Sequence, residues 1–514
     1  MGSGHNEALE RLDPFRSSVS NPYDIPVTLF AGADVPIEAE GIAQLRSFLD
    51  LQRTLDELWA REQKGQIAPF WGEGAGRIER VVLTPDFHRG AGIPVGTVAL
   101  TRGFVIPAAV GNDVCCGMRL LATDVRADEL DAHAPALARR LRELFFEGQR
   151  DIPMSPRQRE ALLRDGLFGL WDTSGDNAGR GIWAYYDART QGDDLVRADR
   201  QGSLSAKAIF GFDKFVRSSG EIDGRDPQIG SVGGGNHFVE LQRVDELYES
   251  TATDWGLGKN KVTVMVHTGS VGLGHMVGGH FCDQARRDFA PGVAHPDHGF
   301  YPLPAWGPRQ GGAAAYLDAL KNAANFAFGN RLFLGLMAIR AISEVLGRAV
   351  EHRLVYDAPH NLIWERGEGR YLHRKGATPA EGPAGGGPFA TTGRPVLVPG
   401  SMGASSYVLA GHGDESALAS ACHGAGRALD RRASAQVDEE TYRRALAPLR
   451  VVTPLDPDAP AVRLRADVLA KYHRRVKEEA PYAYKDVGPV IRTVEDAGVA
   501  RRIARLWPLM TVKG

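Results

Sequence analysis

His423 stands directly before Gly-Ala-Gly in the stretch SACHGAGRALDRR, residues 420–432, and Arg427 follows four positions after it. Glycines beside an imidazole leave open backbone that the phosphates of a ligand can approach closely. An imidazole so placed can attack phosphorus. We read His423 as a covalent nucleophile, with metal ligation as the other role open to it.

A second group of residues has the chemistry of metal ligands. Asp113 and Cys116 lie three apart in a tight turn between the apolar runs of GFVIPAAVGNDVCCGMRLLA, residues 103–122. A carboxylate and a thiolate from one turn give mixed hard and soft ligation, which suits Mn²⁺, Zn²⁺ or Fe²⁺ better than Mg²⁺. The competing reading of that turn by itself is a buried free cysteine, and Cys115 has the weaker case as a ligand. Three histidines sit on similar strand and loop junctions. His237 follows three glycines and Asn236 and precedes an alternating strand that carries Glu240; His267 ends the run KVTVMV; His360 and Asn361 follow LVYDAP. Singly, each is more often a satisfied structural residue, but together with Asp113 and Cys116 they form a candidate metal set. The glycines at 233–235 are also suited to cradling a nucleotide. Asp86 and His88, beside Gly90 and Gly92, admit two readings, an active-site edge or a hydrogen-bonded turn, and in isolation the turn is the default.

Several elements must position these groups. Residues 37–64 read as helix, from the spacing of Ile42, Leu45, Phe48, Leu49, Leu51, Leu55 and Leu58. From Ile78 onward short β-like runs alternate with glycine turns. Residues 126–225 read as an elaborated, partly helical region whose basic residues admit contact with nucleic-acid phosphates, with a solvated helix face as the default. Residues 313–350 give the longest helical pattern, which reads as core. The stretch from Gly376 to Arg394 is rich in Gly and Pro and reads as a flexible loop suited to an active-site lid. Residues 396–411 read as strand, turn and strand, with Ser401, Ser405 and Ser406 as turn hydroxyls. Helices are expected over 433–446, 469–479 and 494–507, and Lys513 by position belongs to a frayed tail.

Composition bounds the class. The 514 residues are 43% hydrophobic and 24% charged, ordinary for a globular protein, and a net charge of −2 excludes a globally basic nucleic-acid coat. Four irregularly spaced cysteines do not make a disulfide scaffold and fit a reduced, cytoplasmic compartment. The N-terminus lacks the pattern of a signal peptide, and no membrane span is expected.

The segments GNDVCCGM, GGGNHFVE, HTGSVGLG, APHNL, HRKGAT, PGSMGASSYVL, CHGAGR and a terminal KG occur in an order that resembles the RtcB family of RNA-splicing (tRNA-splicing) ligases, of which this chain would be a divergent member. The likeness runs from about residue 78 to Gly514, and matches poorly over 126–225 and the glycine-rich loop. It implies an α+β fold, a single large domain over 78–514 with strands around a central dinuclear metal cleft and helices outside, with residues 1–77 as an N-terminal helical extension. It implies two Mn²⁺ ions held by Asp113, Cys116, His237, His267 and His360, with Cys116 bridging, and a guanylylated His423. The matching GTP site comprises Asn236, His237, Phe238, Val239, Glu240, His360, Asn361, Pro399, Gly400, Ser401, Met402, Ser406, His423, Gly424, Ala425, Gly426 and Lys513.

The activity so implied passes GMP from His423 to an RNA (or DNA) 3′-phosphate, formed when needed from a 2′,3′-cyclic phosphate, and then joins that end to a 5′-hydroxyl. Arg427 becomes a candidate for steadying phosphate, Glu240 for reading guanine, and the protein is expected to act as a monomer. Two departures bear on the acceptor. Val271 and Pro379 stand where the family usually carries arginine, which opens the alternative of guanylyl capping without efficient sealing. A metal-dependent phosphoesterase would use the same ligands without GTP.

Overall fold

Two large β-sheets meet at His360. In the computed structural model, which describes residues 9–211, 229–447 and 449–514, the strand His352–Pro359 belongs to one sheet and Asn361–Glu365 to the other, with His360 alone between them. The first sheet has seven strands in the order Leu9–Arg11, Arg16–Val19, Val27–Phe30, Arg77–His88, Val95–Arg102, Arg370–Lys375 and Asn361–Glu365. The second runs His352–Pro359, Gly117–Arg126, Lys261–Thr268, Phe238–Leu247, Ala500–Val512, Ser406–Gly411 and Pro395–Val398, with Arg450–Val452 added parallel to the C-terminal strand. The architecture is mixed α+β.

A helix of 37 residues, Gln310–Leu346, packs against the strand Lys261–Thr268 and the helices Ala134–Phe146, Pro156–Asp172 and Val271–Arg287. Alanine and leucine favour it, no proline interrupts it, and Gly347 closes it in the left-handed conformation. Among the described residues it lies in the one helical stretch, Gly307–Leu346, long and apolar enough to cross a membrane, and the most apolar part of that stretch is buried inside the protein. Its polar positions serve neighbouring backbone. The buried Asn322 and Asn325 bond Leu163 O, and Asn330 accepts from Gly230 N and Ser231 N.

The inserted region is helical where described; residues 212–225 of it lie outside the described residues. The N-terminal segment differs from a purely helical extension. It has the expected helical stretch, as Ala39–Leu49 and Leu51–Gln63, but its first part supplies three strands to the first sheet, because Val19, Val27, Leu29 and Phe30 bury their side chains there.

Two other expectations are corrected. The C-terminal segment is a helix only over Val487–Asp496; Gly498 breaks it at φ +73°, and Ala500–Val512 is a strand. Ala504, Leu506, Pro508, Met510 and Val512 bury alternate positions along a strand that pairs with three others, which overrides the helix propensity of alanine, arginine and leucine. The stretch from Gly376 to Arg394 is not a free loop. Ala377–Pro379 pairs with Ser420–Cys422, Ala377 to Ala380 are buried, and no residue of 376–394 lines the cleft described below.

Candidate active site

The ligand candidates converge at strand ends. Asp113 and Cys116 precede the strand Gly117–Arg126, His267 is the penultimate residue of Lys261–Thr268, His237 precedes Phe238–Leu247, and His360 sits between the sheets. These strands neighbour one another, so their ends share one place. The turn is stitched to the His360 segment by Cys115 N–H to Asn361 O at 2.7 Å, His360 N–H to Cys116 O at 2.8 Å and Asn361 Nδ2 to Asp113 O at 3.1 Å. The residues after His267 form a helix, Val271–Arg287. Gly274 and Gly278 face the ligand turn so closely that a Cβ at Gly274 would lie 2.7 Å from Asn112 O, and one at Gly278 2.9 Å from Gly111 O.

Five donor atoms follow one another at close range. Asp113 Oδ2 is 3.0 Å from His237 Nε2, Cys116 Sγ is 3.3 Å from His237 Nε2 and 3.2 Å from His267 Nε2, and His267 Nε2 is 3.4 Å from His360 Nε2. His267 Nδ1 donates to Asn236 O at 3.2 Å, which leaves the lone pair on Nε2, toward the cluster. Burial pushes the His267 and His360 imidazoles well below their usual pKa, so both are neutral ligands. Burial opposes ionisation of Asp113, but the charge and hydrogen bond of His237 outweigh it and hold the carboxyl well below its usual range. Burial, reinforced by Asp113, pushes the Cys116 thiol well above its usual range, so a thiolate there needs a cation. Two neutral imidazole nitrogens facing each other share at most one proton, and a thiol between imidazoles adds one more. One carboxylate, one sulfur and three imidazoles at this spacing fit a metal centre of borderline softness. Cys116, His237 and His267 form its tightest part, with ligand atoms all within 4.8 Å of one another.

His423 lies beside the cluster, its ring 4.6 Å from that of His360. It follows the strand Ser420–Cys422, which the pairing with Ala377–Pro379 fixes in place. Asp86 Oδ2 accepts from His423 Nδ1 at 2.7 Å and from the His423 backbone N–H at 3.2 Å, while Asp86 Oδ1 accepts from Thr84 Oγ1 at 2.5 Å. Asp86 is fully buried; burial opposes its ionisation, but the charge and hydrogen bond of His423 bring the carboxyl below its usual range. With Nδ1 so engaged, the Nε2 lone pair of His423 is available to a substrate. Both readings of Asp86 meet here: its carboxylate holds His423, and its carbonyl accepts from His88 Nδ1 at 2.7 Å within the turn. Asp86 and His423 are 337 apart in sequence, and no spacing signals the pair.

His423 opens on a cleft of about 930 Å³. Of the expected nucleotide residues, Asn236, Phe238, Glu240, Pro399 to Met402, His423 to Gly426 and Lys513 line it. His237, Val239, His360, Asn361 and Ser406 stand behind its wall, Ser406 Oγ accepting from Gly400 N–H and Gln242 Nε2. The Glu240 carboxylate accepts from Gln242 Nε2 at 2.7 Å and from Thr511 Oγ1, and burial pushes its pKa up to about 7. Lys513 is no frayed tail: its Nζ donates to the carbonyls of Gly235 and His237, and burial brings it down to about 8. Tyr484, which sequence patterns did not single out, also lines the cleft. Arg427 does not present a free guanidinium. It donates to Glu479, Glu478 O and Tyr484 OH and lies 5.0 Å over the Tyr484 ring. Neither departure from the family pattern lines the cleft: Val271 starts the helix after His267 at φ +49°, and Pro379 is buried opposite Ser420.

A cluster of Asp, Cys and His donors suited to a metal ion lies beside a carboxylate-held histidine that lines a cleft large enough for a nucleotide, the kind of concave polar site that enzymes use. Residues 74–514 match the family model described as tRNA-splicing ligase RtcB. The tRNA-splicing ligase RtcB of Thermococcus kodakarensis is 35% identical over 456 residues, covering 84% of this chain and 87% of that protein. The RNA-splicing ligase RtcB of Mycobacterium bovis is 34% identical over 469 residues, 85% of this chain and 98% of that protein. The tRNA-splicing ligase RtcB of Nanoarchaeum equitans is 32% identical over 459 residues. The chain belongs to the RtcB family of RNA ligases.

Proposed function

We propose that this enzyme is a GTP- and Mn²⁺-dependent ligase that joins an RNA 3′-phosphate end to a 5′-hydroxyl end through a guanylylated His423. The observation that carries this reading is the 2.7 Å contact between His423 Nδ1 and the buried Asp86, beside the donor cluster and on the floor of the cleft.

His423 Nε2 attacks the α-phosphorus of GTP; an N–P bond forms, the bond to the bridging oxygen breaks, and pyrophosphate leaves. The imidazole gains positive charge as it does so, and the Asp86 carboxylate at Nδ1 stabilises that charge. An oxygen of the RNA 3′-phosphate then attacks the same phosphorus, releasing His423 and leaving the 3′ end as a mixed anhydride with GMP. The 5′-hydroxyl of the second strand attacks the terminal 3′-phosphorus, loses its proton, and displaces GMP. A 2′,3′-cyclic phosphate enters this sequence after water opens it to the 3′-phosphate.

Asp113, Cys116, His237, His267 and His360 would hold two Mn²⁺ ions, which when bound offset the negative charge of phosphoryl oxygens. Glu240, ionised, accepts from guanine N–H groups and disfavours adenine. Lys513 stands over the backbone of the glycine segment that would meet the nucleotide. Arg427 acts on the site through Tyr484 and Glu479 rather than by binding phosphate directly.

Val271 favours a second outcome. Where the family carries an arginine after His267, this chain has an apolar residue outside the cleft, and the loss of that cation favours 3′-capping with GMP in place of efficient sealing. Matched RNA and DNA strands with 3′-phosphate or 2′,3′-cyclic phosphate ends, incubated with GTP and Mn²⁺, separate the outcomes. Joined RNA is the expected product; GMP-capped ends alone establish capping, and hydrolysis without GTP contradicts both.

A further inference from the structure

Arg331 of the long helix has no part in the chemistry described above, yet its side chain is fully buried close to the donor cluster. Its Nη1 donates to Cys115 O at 2.7 Å and to Thr268 O at 3.1 Å, and its Nε donates to Asp357 Oδ1 at 2.8 Å. Cys115 precedes the ligand Cys116, Thr268 follows His267, and Asp357 lies three residues before His360. One planar guanidinium therefore touches each of three separate segments that deliver a donor. Phe328 packs against it at 4.7 Å, and Arg119 Nη1 shares Asp357 through Oδ2 at 3.1 Å.

Cys115 gives this contact a particular meaning. It holds φ at +58°, in the left-handed region that strains a non-glycine residue. That conformation aims the Cys115 carbonyl at Arg331 while its own N–H bonds Asn361 O. A buried arginine and carboxylate are costly to desolvate, and apolar residues of similar volume often replace such groups without loss of stability. A fork of fixed donors reaching three segments achieves what an apolar side chain cannot, which is to set their spacing.

We propose that Arg331 is the positioning residue of the metal centre: it fixes the spacing of Cys116, His267 and His360 by holding the carbonyls of Cys115 and Thr268 and the carboxylate of Asp357, and it keeps Cys115 in its strained conformation. This rests on the reading of the donor cluster as a metal site.

The test compares Arg331→Lys with Arg119→Lys. Both alter a buried arginine on Asp357, but Arg119 has no hydrogen bond to Cys115 or Thr268. Two quantities are measured on full-length, chelator-stripped protein: Mn²⁺ affinity by calorimetry, and backbone hydrogen exchange in the peptide spanning 113–118. Arg331→Lys is expected to weaken Mn²⁺ binding by about 10- to 100-fold, as loss of an outer contact to metal ligands does, and to speed exchange at the turn. Arg119→Lys is expected to leave both near wild type. Cys115→Gly adopts the same φ without strain and, combined with Arg331→Lys, is expected to recover part of the affinity. If Arg331→Lys fails to fold, Arg331→Gln replaces it in the comparison. Wild-type affinity and exchange in the Arg331 variant, or equal losses in the Arg119 variant, overturn the proposal. If wild type binds no Mn²⁺ but the Arg331 variant alone loosens the turn, the metal reading falls and the positioning role stands.

Discussion

Asp86 Oδ2 lies 2.7 Å from His423 Nδ1 and 3.2 Å from the His423 backbone N–H, so one buried carboxylate oxygen fixes both the ring and the chain that carries it. An amide in its place can present N–H to Nδ1 and force the proton onto Nε2, where it blocks attack. Asp86→Asn is therefore expected to slow guanylylation of the protein by about 10³–10⁴-fold, in line with loss of the correct tautomer in other catalytic histidines, with little change in GTP affinity. Initial rates of label transfer from α-labelled GTP, with GTP binding measured alongside, check this. Labelling at the wild-type rate would show that Asp86 does not orient the nucleophile.

GTP binding should follow two ionisations of opposite sign. Burial raises Glu240 to about 7, and a carboxylate accepts from guanine N–H groups only when ionised, so affinity rises as pH passes through about 7. Burial lowers Lys513 to about 8, and its ammonium attracts anionic GTP only while protonated, so affinity falls above about 8. The dissociation constant should be lowest between these values. Glu240→Gln should remove the acid limb and keep the alkaline one; an acid limb that persists in this variant assigns it to another group. Stability moves the other way with Glu240. Its raised folded-state pKa gives a contribution fully present below the unfolded value of about 4.3 and lost as pH rises through about 7.

Val271 is β-branched and holds φ at +49° where the helix Val271–Arg287 begins, four residues after His267. Glycine takes that conformation freely, and the strain relieved exceeds the entropy it costs the folded chain. Val271→Gly is expected to stabilise the protein by about 1 kcal/mol, read as a higher denaturant midpoint. An unchanged or lower midpoint would mean that the contacts of the valine side chain outweigh the strain.

The donor cluster was legible because each member announces a junction. Asp113, Cys116, His237, His267 and His360 all stand where an apolar run meets glycine, proline or a turn, and adjacent strands bring such ends together. Asp86 was legible as a residue but not as a partner, since its relation to His423 exists only once the first sheet and the strand Ser420–Cys422 are in place. Lys513 looked like a tail because sequence position carries no information about the carbonyls of Gly235 and His237 that receive it. The strand Ala500–Val512 was misread for a related reason: its residues favour a helix locally, and only the strands that pair with it decide otherwise. The Gly and Pro content of 376–394 marked turns correctly but hid the short pairing that anchors the approach to His423.

The most direct test of the central claim is covalent labelling of the protein by α-labelled GTP with Mn²⁺. The expected result is one acid-labile, alkali-stable label per chain, mapped to His423, absent from His423→Ala and absent after chelation. A protein that takes no label, or a His423→Ala variant that labels as fully as wild type, would contradict the account.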